Sequence, residues 1–516
     1  MSLVRNFATV GGATLSSRIL GFVRDSFLAA ALGTGLVADA FVVAFRLPNL
    51  FRRLFAEGAF ASAFVPLFAG RLEADGEAEA RRFAEESLSA LTFALLVLTV
   101  VAELAMPLLM LVLAPGFSED PDKFALAVTL SRIAFPYLAL VSLVSLYSGV
   151  LNGLDRFAAA AFSPALLNTA LIGALAVVFL TSTEGTHTAG MLLAGAITVG
   201  GVLQLGLLLA ALARARFRLA FRRPRLTEGV RRLLVLGGPA VLAGGVVQIN
   251  IVVGTIIASL QPGAVSWLYF ADRIYQLPLG IVGIAVGVVL LPDIAKRVRA
   301  GDLASVNNSQ NRSLEFAMAL TVPAAAALVV FALPLVVGLF QRGAFTAADS
   351  AATAVALSAF GIGLPAFVLT RVFQPAFFAR EDTRTPMIYS AVTVVVNVAL
   401  SLALFPFIGY VAVAIATSAA SWVNVGLLYF GLRRHDLYAA DRRLLRSLLG
   451  IALATATMVA ALFGAEILTA PLLAAGAWSR IGGLLAFVGI GGVVYAVAAV
   501  VFGAVRLADL KRALKR

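Results

Sequence analysis

The sequence predicts an all-α polytopic membrane protein, and three observations carry that reading. Apolar runs of about twenty residues recur along all 516 residues, each enough for a helix to cross roughly 30 Å of hydrocarbon. The composition is 61% hydrophobic against 13% charged, far from the balance of a soluble globular chain. The remaining charges concentrate in alternate connecting segments. A sheet open to lipid would strand its backbone donors and acceptors, so the class is helical.

Fourteen transmembrane helices fit the pattern, centred near residues 20, 48, 98, 140, 170, 200, 245, 280, 322, 362, 395, 420, 455 and 490. The first begins MSLVRNFATVGG and lacks a small-residue cleavage site, so it reads as an uncleaved helix rather than a leader. An even number of crossings puts both termini on one face. The segment RARFRLAFRRPRLTEGVRR holds eight arginines, and basic clusters recur at 296–299, 380–384 and 433–446 and in the tail RLADLKRALKR. The alternate connectors GTG, PGFSEDPDK, TSTEGTH, QPG, QRGAFTAADS and FPFIGY carry only Lys123 and Arg342. By the positive-inside rule both termini are cytoplasmic, in a multi-pass protein of the cytoplasmic membrane.

The same asymmetry accounts for the net charge of +13, so no nucleic-acid partner is called for. Cysteine is absent, which excludes disulfides, thiol catalysis and thiolate metal sites. His187 and His435, the two histidines, fall in short polar connectors and read as solvated. No metal-ligand cluster, nucleophile or phosphate-cradling loop stands out, so neither an enzyme nor a bound cofactor is expected.

A weak internal repeat is visible. A shift of 230 residues lays LGTGLVADAFVVAFRLPNL over QPGAVSWLYFADRIYQLPLG, matching Gly33 to Gly263 and Pro48 to Pro278. A shift near 226 lays YSGVLNGLDRF, from Tyr147, over FQPAFFAREDT, from Phe373. Both shifts span six helices, so the halves share one orientation. The expected organisation is two parallel-repeat six-helix bundles, 1–220 and 225–435, followed by a helix pair and basic tail in 436–516, with a cavity on the pseudo-twofold axis.

Charges at membrane depth are few: Arg18, Arg24, Asp25, Asp39, Arg46, Arg52, Arg53, Glu57, Arg132, Asp272, Arg273 and Arg371. Each Arg or Asp at a helix centre costs about 2.5 to 3.5 kcal/mol on insertion scales, so several together call for a wet interior. Arg18 and Asp25 are seven residues apart, as are Asp39, Arg46 and Arg53, so each set shares a helix face. Arg46, Arg53, Glu57, Arg132 and Arg371 read as snorkelling or structural pairing, whereas Arg24, Arg52 and Arg273 read as functional. Arginine stays protonated and presents a planar fork to phosphate oxygens, a poor proton relay and a good anion clamp. With cations in excess, a diphosphate is the best chemical match. Pro48 and Pro278 break the backbone ladders of two charged helices and are candidate hinges.

The stretches SSRILGFVRDSFLAAALGTGLVADAF, FRLPNLFRRLFAEGAFASAFVP and SWLYFADRIYQLPLGIVGIAVGVVLLP closely resemble the MurJ (MviN) lipid II flippases of the multidrug/oligosaccharidyl-lipid/polysaccharide exporter superfamily. The resemblance runs from the first helix to the last. It implies a fourteen-helix inner-membrane flippase for lipid II, the undecaprenyl-diphosphate-linked peptidoglycan precursor, with a role in cell-wall biogenesis and cell shape. Lipid II and membrane lipids are then the expected partners, with cell-wall synthesis or division proteins as further candidates. Carried onto matching positions, the family's cavity residues fall on Arg18, Arg24, Arg52 and Arg273, accompanied by Asp25, Asp39, Asn49, Ser266 and Asp272. The last two helices resemble those that form a groove for the polyprenyl tail.

This chain departs from the family in two places. Gln276 stands where an acid often follows the ADR motif. Asn250, Asn397 and Ser401 stand nearest to the carboxylates through which some members resemble sodium-binding transporters, so a sodium site is not expected. Two other readings use the same fold: a flippase for another diphosphate-linked glycan lipid, which the arginines would serve equally, and a multidrug antiporter, which would not line its path with arginines.

Overall fold

A computed structural model describes residues 3–52, 61–300, 302–434, 437–474 and 476–504. Every regular element among them is helical. The chain divides into two compact units, Met1–Ser266 and Trp267–Arg516.

The first unit contains α1 (Leu3–Leu32), α2 (Leu36–Phe51), α3 (Ala61–Ala74), α4 (Gly76–Leu104), α5 (Met106–Leu113), α6 (Pro121–Ala134), α7 (Tyr137–Gly153), α8 (Phe157–Leu180), α9 (His187–Arg214) and α10 (Glu228–Ser259). The boundary falls in the first turn of α11 (Ala264–Arg299). The second unit continues with α12 (Leu303–Val330), α13 (Ala332–Phe340), α14 (Ala347–Phe378), α15 (Arg384–Ile408), α16 (Val411–Arg434), α17 (Arg442–Ala474) and α18 (Ala477–Val501). Ten spans among the described residues are long and apolar enough to cross a membrane.

Each of the fourteen expected centres falls in a helix, and the structure adds four features the hydropathy pattern does not show. Helix α3 precedes α4, the short helices α5 and α13 follow α4 and α12, and Phe135–Pro136 separates α6 from α7. Prolines explain several of these breaks, because a proline has no N–H and its ring collides with the carbonyl one turn back. Pro107 and Pro136 sit in this way at the starts of α5 and α7. His187, expected in a connector, is the first residue of α9, 3.3 Å from Asp122. Arg53, Glu57, His435 and the basic tail lie outside the described residues.

The 226-residue shift reappears in backbone geometry. Asp155 and Glu381 are non-glycine residues with positive φ, 58° and 63°. Each closes its helix with matching bonds: Asp155 N–H donates to the Asn152 carbonyl at 3.1 Å and Arg156 N–H to Leu151 at 2.8 Å, while Glu381 N–H donates to Phe378 at 3.0 Å and Asp382 N–H to Phe377 at 3.1 Å. The α4–α5 break at Ala105 has its counterpart in the α12–α13 break at Phe331. Carbonyls beside the breaks are taken up by side chains at corresponding positions, Glu103 by Arg132 Nε at 3.2 Å and Val329 by Ser358 Oγ at 3.0 Å. Gly33 and Gly263, paired by the shift of 230, both adopt positive φ (61° and 81°) ahead of α2 and α11.

Each unit has its own core. In the first, Phe64, Phe68 and Phe83 stack beneath α7, and Gly153 admits Phe68, whose Cδ1 would lie 2.7 Å from an added Cβ. In the second, α14 and α16 meet where Gly363 faces Ser418, whose hydroxyl donates to the Ala359 carbonyl at 2.7 Å. Small residues at such crossings let backbones approach, which matters where lipid removes the hydrophobic drive for helix association.

Candidate functional site

In the first unit, Arg24 of α1 and Asn49 of α2 both lie against Phe45. Arg24 and Asp25 are buried on α1, at 8% and 3% exposure. Arg24 donates through Nε and Nη2 to one Asp25 oxygen, at 3.0 and 2.6 Å, and through Nη1 to Asn168 Oδ1 at 2.8 Å. Asn168, on α8, donates in turn to the Ser17 carbonyl at 3.0 Å. Gly21 packs against it, and an added Cβ there would reach Asn168 Nδ2 at an ordinary contact distance of 3.6 Å. The Arg24 guanidinium also lies 5.5 Å from the Phe45 ring on α2. The Phe45 carbonyl accepts from Asn49 Nδ2 at 2.7 Å, and Asn49 Oδ1 accepts from Arg52 Nε at 3.1 Å. Both Asn49 and Arg52 lie just past Pro48, in the last turn of α2 and at its C-cap. Arg18, one face along α1, is exposed.

A second node lies at the other end of α2. Asp39 is fully buried and accepts from Lys123 Nζ at 2.6 Å, from the backbone N–H of Gly263 and Ser266 at 2.9 Å each, and from Ser266 Oγ at 2.6 Å. One carboxylate thus ties α2 to α6 and caps the start of α11, whose unpaired N–H groups favour an anion. Arg46, between the nodes, donates to Thr255 on α10 at 3.0 Å.

In the second unit, Asp272 accepts from Gln276 one turn later on α11, and the Arg273 guanidinium lies over the Tyr269 ring at 4.6 Å. Tyr275 packs between Phe360 and Phe367 of α14, which fixes this face of the helix. Pro278 follows one turn on, within α11.

Two participants escape sequence reasoning. Lys123 reads as a connector lysine, yet it is buried; the signal is Asp120, which caps α6 by accepting from the Asp122 and Lys123 N–H groups and so turns Lys123 inward on a helix. Asn168 is the one amide in the apolar run FSPALLNTALIGALAVVFL, and an isolated polar residue in such a run is itself the signal. Among the described residues no cluster of histidine and acid side chains can hold a metal ion.

Residues 28–481 match the family model described as lipid II flippase MurJ. The chain belongs to the lipid II flippase MurJ family. It is 49% identical over its whole length to the "Probable lipid II flippase MurJ" of Rhizobium meliloti (strain 1021), covering 97% of that protein, and 46% identical, with the same coverage, to that of Rhizobium tropici. It is 36% identical to the "Lipid II flippase MurJ" of Burkholderia cenocepacia, over 89% of this chain and 90% of that one. Among solved structures, "Lipid II flippase MurJ, inward closed conformation" shares the fold with a TM-score of 0.79, at 23% identity over 98% of this chain and 99% of that one. An inward-facing multidrug resistance MATE family transporter shares it at 0.66, with 16% identity over 81% and 95%.

Within this MurJ-family chain the two departures are structurally specific. Gln276 hydrogen-bonds Asp272, so position 276 supplies a neutral amide. Asn397 donates to Thr417 at 3.4 Å and accepts from Ser401 at 3.2 Å, a neutral hydrogen-bonded set on α15 and α16.

Proposed function

We propose that this chain is the flippase that carries lipid II across the cytoplasmic membrane, from the cytoplasmic to the periplasmic leaflet, by alternating access. The observation that carries the reading is its full-length 49% identity to a probable lipid II flippase, with the family model matching residues 28–481. The finer architecture is fourteen crossings with both termini cytoplasmic, in six-helix lobes 1–220 and 225–435 and a C-terminal pair in 436–516. The 226-residue recurrence of Asp155 in Glu381 and of the α4 break in α12 supports the repeat.

Arg24 and Arg52 are the first unit's ligands for the substrate diphosphate, with Arg18 beside them. Arg273, beside Asp272, is the second unit's contribution. Arg24 enters the reaction already oriented: Asn168 and Asp25 hold its planar fork, so little side-chain freedom is lost on binding an anion. Asp39 and Ser266 are positioning groups at the start of α11, and bending at Pro48 and Pro278 changes which side is open. The role is transport, with no covalent chemistry and no cofactor.

The test uses cells depleted of their own lipid II flippase and expressing this chain. An external enzyme that cleaves lipid II at its diphosphate is added, and the released headgroup is quantified. Release with wild type and loss with Arg24→Ala/Arg273→Ala supports both function and site. No release with folded, membrane-inserted wild type overturns the function, and equal release from both overturns the site.

A further inference from the structure

The segment joining α9 to α10, residues 215–227, is held against α3 and α4 at several points. Phe217 is buried against Phe68, with ring centroids 6.0 Å apart. Ala220 N–H donates to Glu85 at 3.0 Å, Arg222 N–H to Ser89 Oγ at 2.8 Å, Arg222 Nε to Glu85 at 2.5 Å, and Thr227 Oγ1 to Glu86 at 2.7 Å. The corresponding connector of the second unit, residues 435–441, is about half as long. There Asn311, which lies 226 residues after Glu85, donates to the Ala439 carbonyl at 3.0 Å, and Asn307 accepts from Ala439 N–H at 2.9 Å. Holding the chain to its helix therefore requires neither the extra length nor the arginines of 215–227.

What the longer segment adds is an exposed face. Phe221 and Leu226 are 63% and 79% exposed, interleaved with exposed Arg216, Arg218, Arg223 and Arg225. Among the described residues none of these four arginines makes an ion pair. The four acids in the first three turns of α4 are already engaged, Glu77 by Arg81, Glu79 and Glu86 by Arg82, and Glu85 by Arg222. The depth of the face follows from its anchor. Ser89 lies one turn, about 6 Å, before Phe93. Phe93 begins the exposed apolar stripe of α4 that continues through Leu96, Val97, Val100 and Leu104. A segment pinned at Ser89 sits at headgroup level, where an apolar side chain reaches acyl chains and an arginine reaches phosphate.

We propose that residues 216–226 are a built binding surface for anionic phospholipid headgroups of the leaflet on that side. Phe221 and Leu226 enter the interface and the four arginines take headgroup phosphates. Glu85, Glu86 and Ser89 keep the segment in register with the membrane plane. Two exposed apolar side chains at interfacial depth favour a lipid surface over an acidic soluble protein.

The chain has no cysteine, so Leu226→Cys gives a single thiol for a nitroxide. The full-length protein is placed in nanodiscs of phosphatidylethanolamine alone or with one third phosphatidylglycerol, and collision rates with oxygen and with a water-soluble nickel chelate are compared. A label on Phe93→Cys sets the lipid reference and shows each sample folded. In the anionic discs the Leu226 label should lose at least severalfold of its chelate accessibility. That protection should disappear in 1 M salt and in Arg218→Gln/Arg223→Gln/Arg225→Gln. Equal chelate accessibility in both lipids overturns the proposal and leaves a soluble acidic partner as the reading of this face. Protection that survives loss of the three charges overturns the headgroup assignment.

Discussion

Lys123 Nζ lies 2.6 Å from Asp39 Oδ2 across 84 residues of chain, and both side chains are buried in the first unit. The ammonium is also 4.3 Å from the Phe117 ring. Removing one partner of a buried ion pair leaves an uncompensated charge, at a cost of about 3 to 5 kcal/mol. Lys123→Met should therefore lower the unfolding midpoint in nanodiscs well below wild type. Asp39→Asn/Lys123→Met should recover most of the loss; a double variant as unstable as the single one would show that the pair is not the source.

Asn168 accepts from Arg24 Nη1 and donates to the Ser17 carbonyl, so it holds the fork from the side of α8. A hydrogen bond to a charged group contributes about 1.5 to 3 kcal/mol, roughly a tenfold effect or more on an equilibrium that depends on it. Asn168→Ala should reduce headgroup release about tenfold at unchanged membrane level. Arg24→Lys, which keeps the charge and loses the planar fork, should do at least as much damage. Wild-type release from both variants would remove Arg24 orientation from the mechanism.

Gly363 tests the α14–α16 crossing. A Cβ there would sit 2.6 Å from Ser418 Oγ and 2.8 Å from Ser418 Cα, and backbone cannot rotate away as a side-chain tip can. Gly363→Ala should destabilise the second unit by about 1 to 3 kcal/mol. Gly426→Ala on α16, with open space around its added Cβ, is the matched control and should be near neutral.

Asp441, just ahead of α17, gives a pH signature. Burial pushes its carboxyl up, but the Leu444 N–H and the Arg312 guanidinium more than offset this, and its pKa lies below the ordinary 3.8. A depressed carboxylate contributes stability above its unfolded pKa, and that contribution is lost as pH falls through the folded value. The unfolding midpoint of Asp441→Asn should lie below wild type near neutrality, and the deficit should shrink as the pH falls below the ordinary carboxylate range. A variant whose deficit persists undiminished into acid would contradict the assignment.

The helices were readable because a membrane span demands a long apolar run, and that demand leaves a mark in composition alone. The charged candidates were readable for the converse reason, since Arg24, Asp39 and Arg273 stand out against apolar surroundings. Lys123 was not, because its neighbours Asp120 and Asp122 make the stretch look solvated, and only the cap at Asp120 reveals a helix turning inward. The break at Phe331 was also hidden: Pro334 lies three residues beyond it, and the run FALPLVV stays apolar throughout. Asn168 carries no charge, so the residue that orients Arg24 leaves a fainter mark in the sequence than the arginine itself.

Asp155 and Glu381 mark one recurring corner of the chain. A left-handed backbone is uncomfortable for any residue with a Cβ, by about 1 to 2 kcal/mol, and glycine would relieve it. Both copies nevertheless keep an acid there and close the helix with the same bonds, while most of the residues around them differ. The same bent corner, carrying an acid and closed by the same two bonds, thus stands in each half of the chain, 226 residues apart.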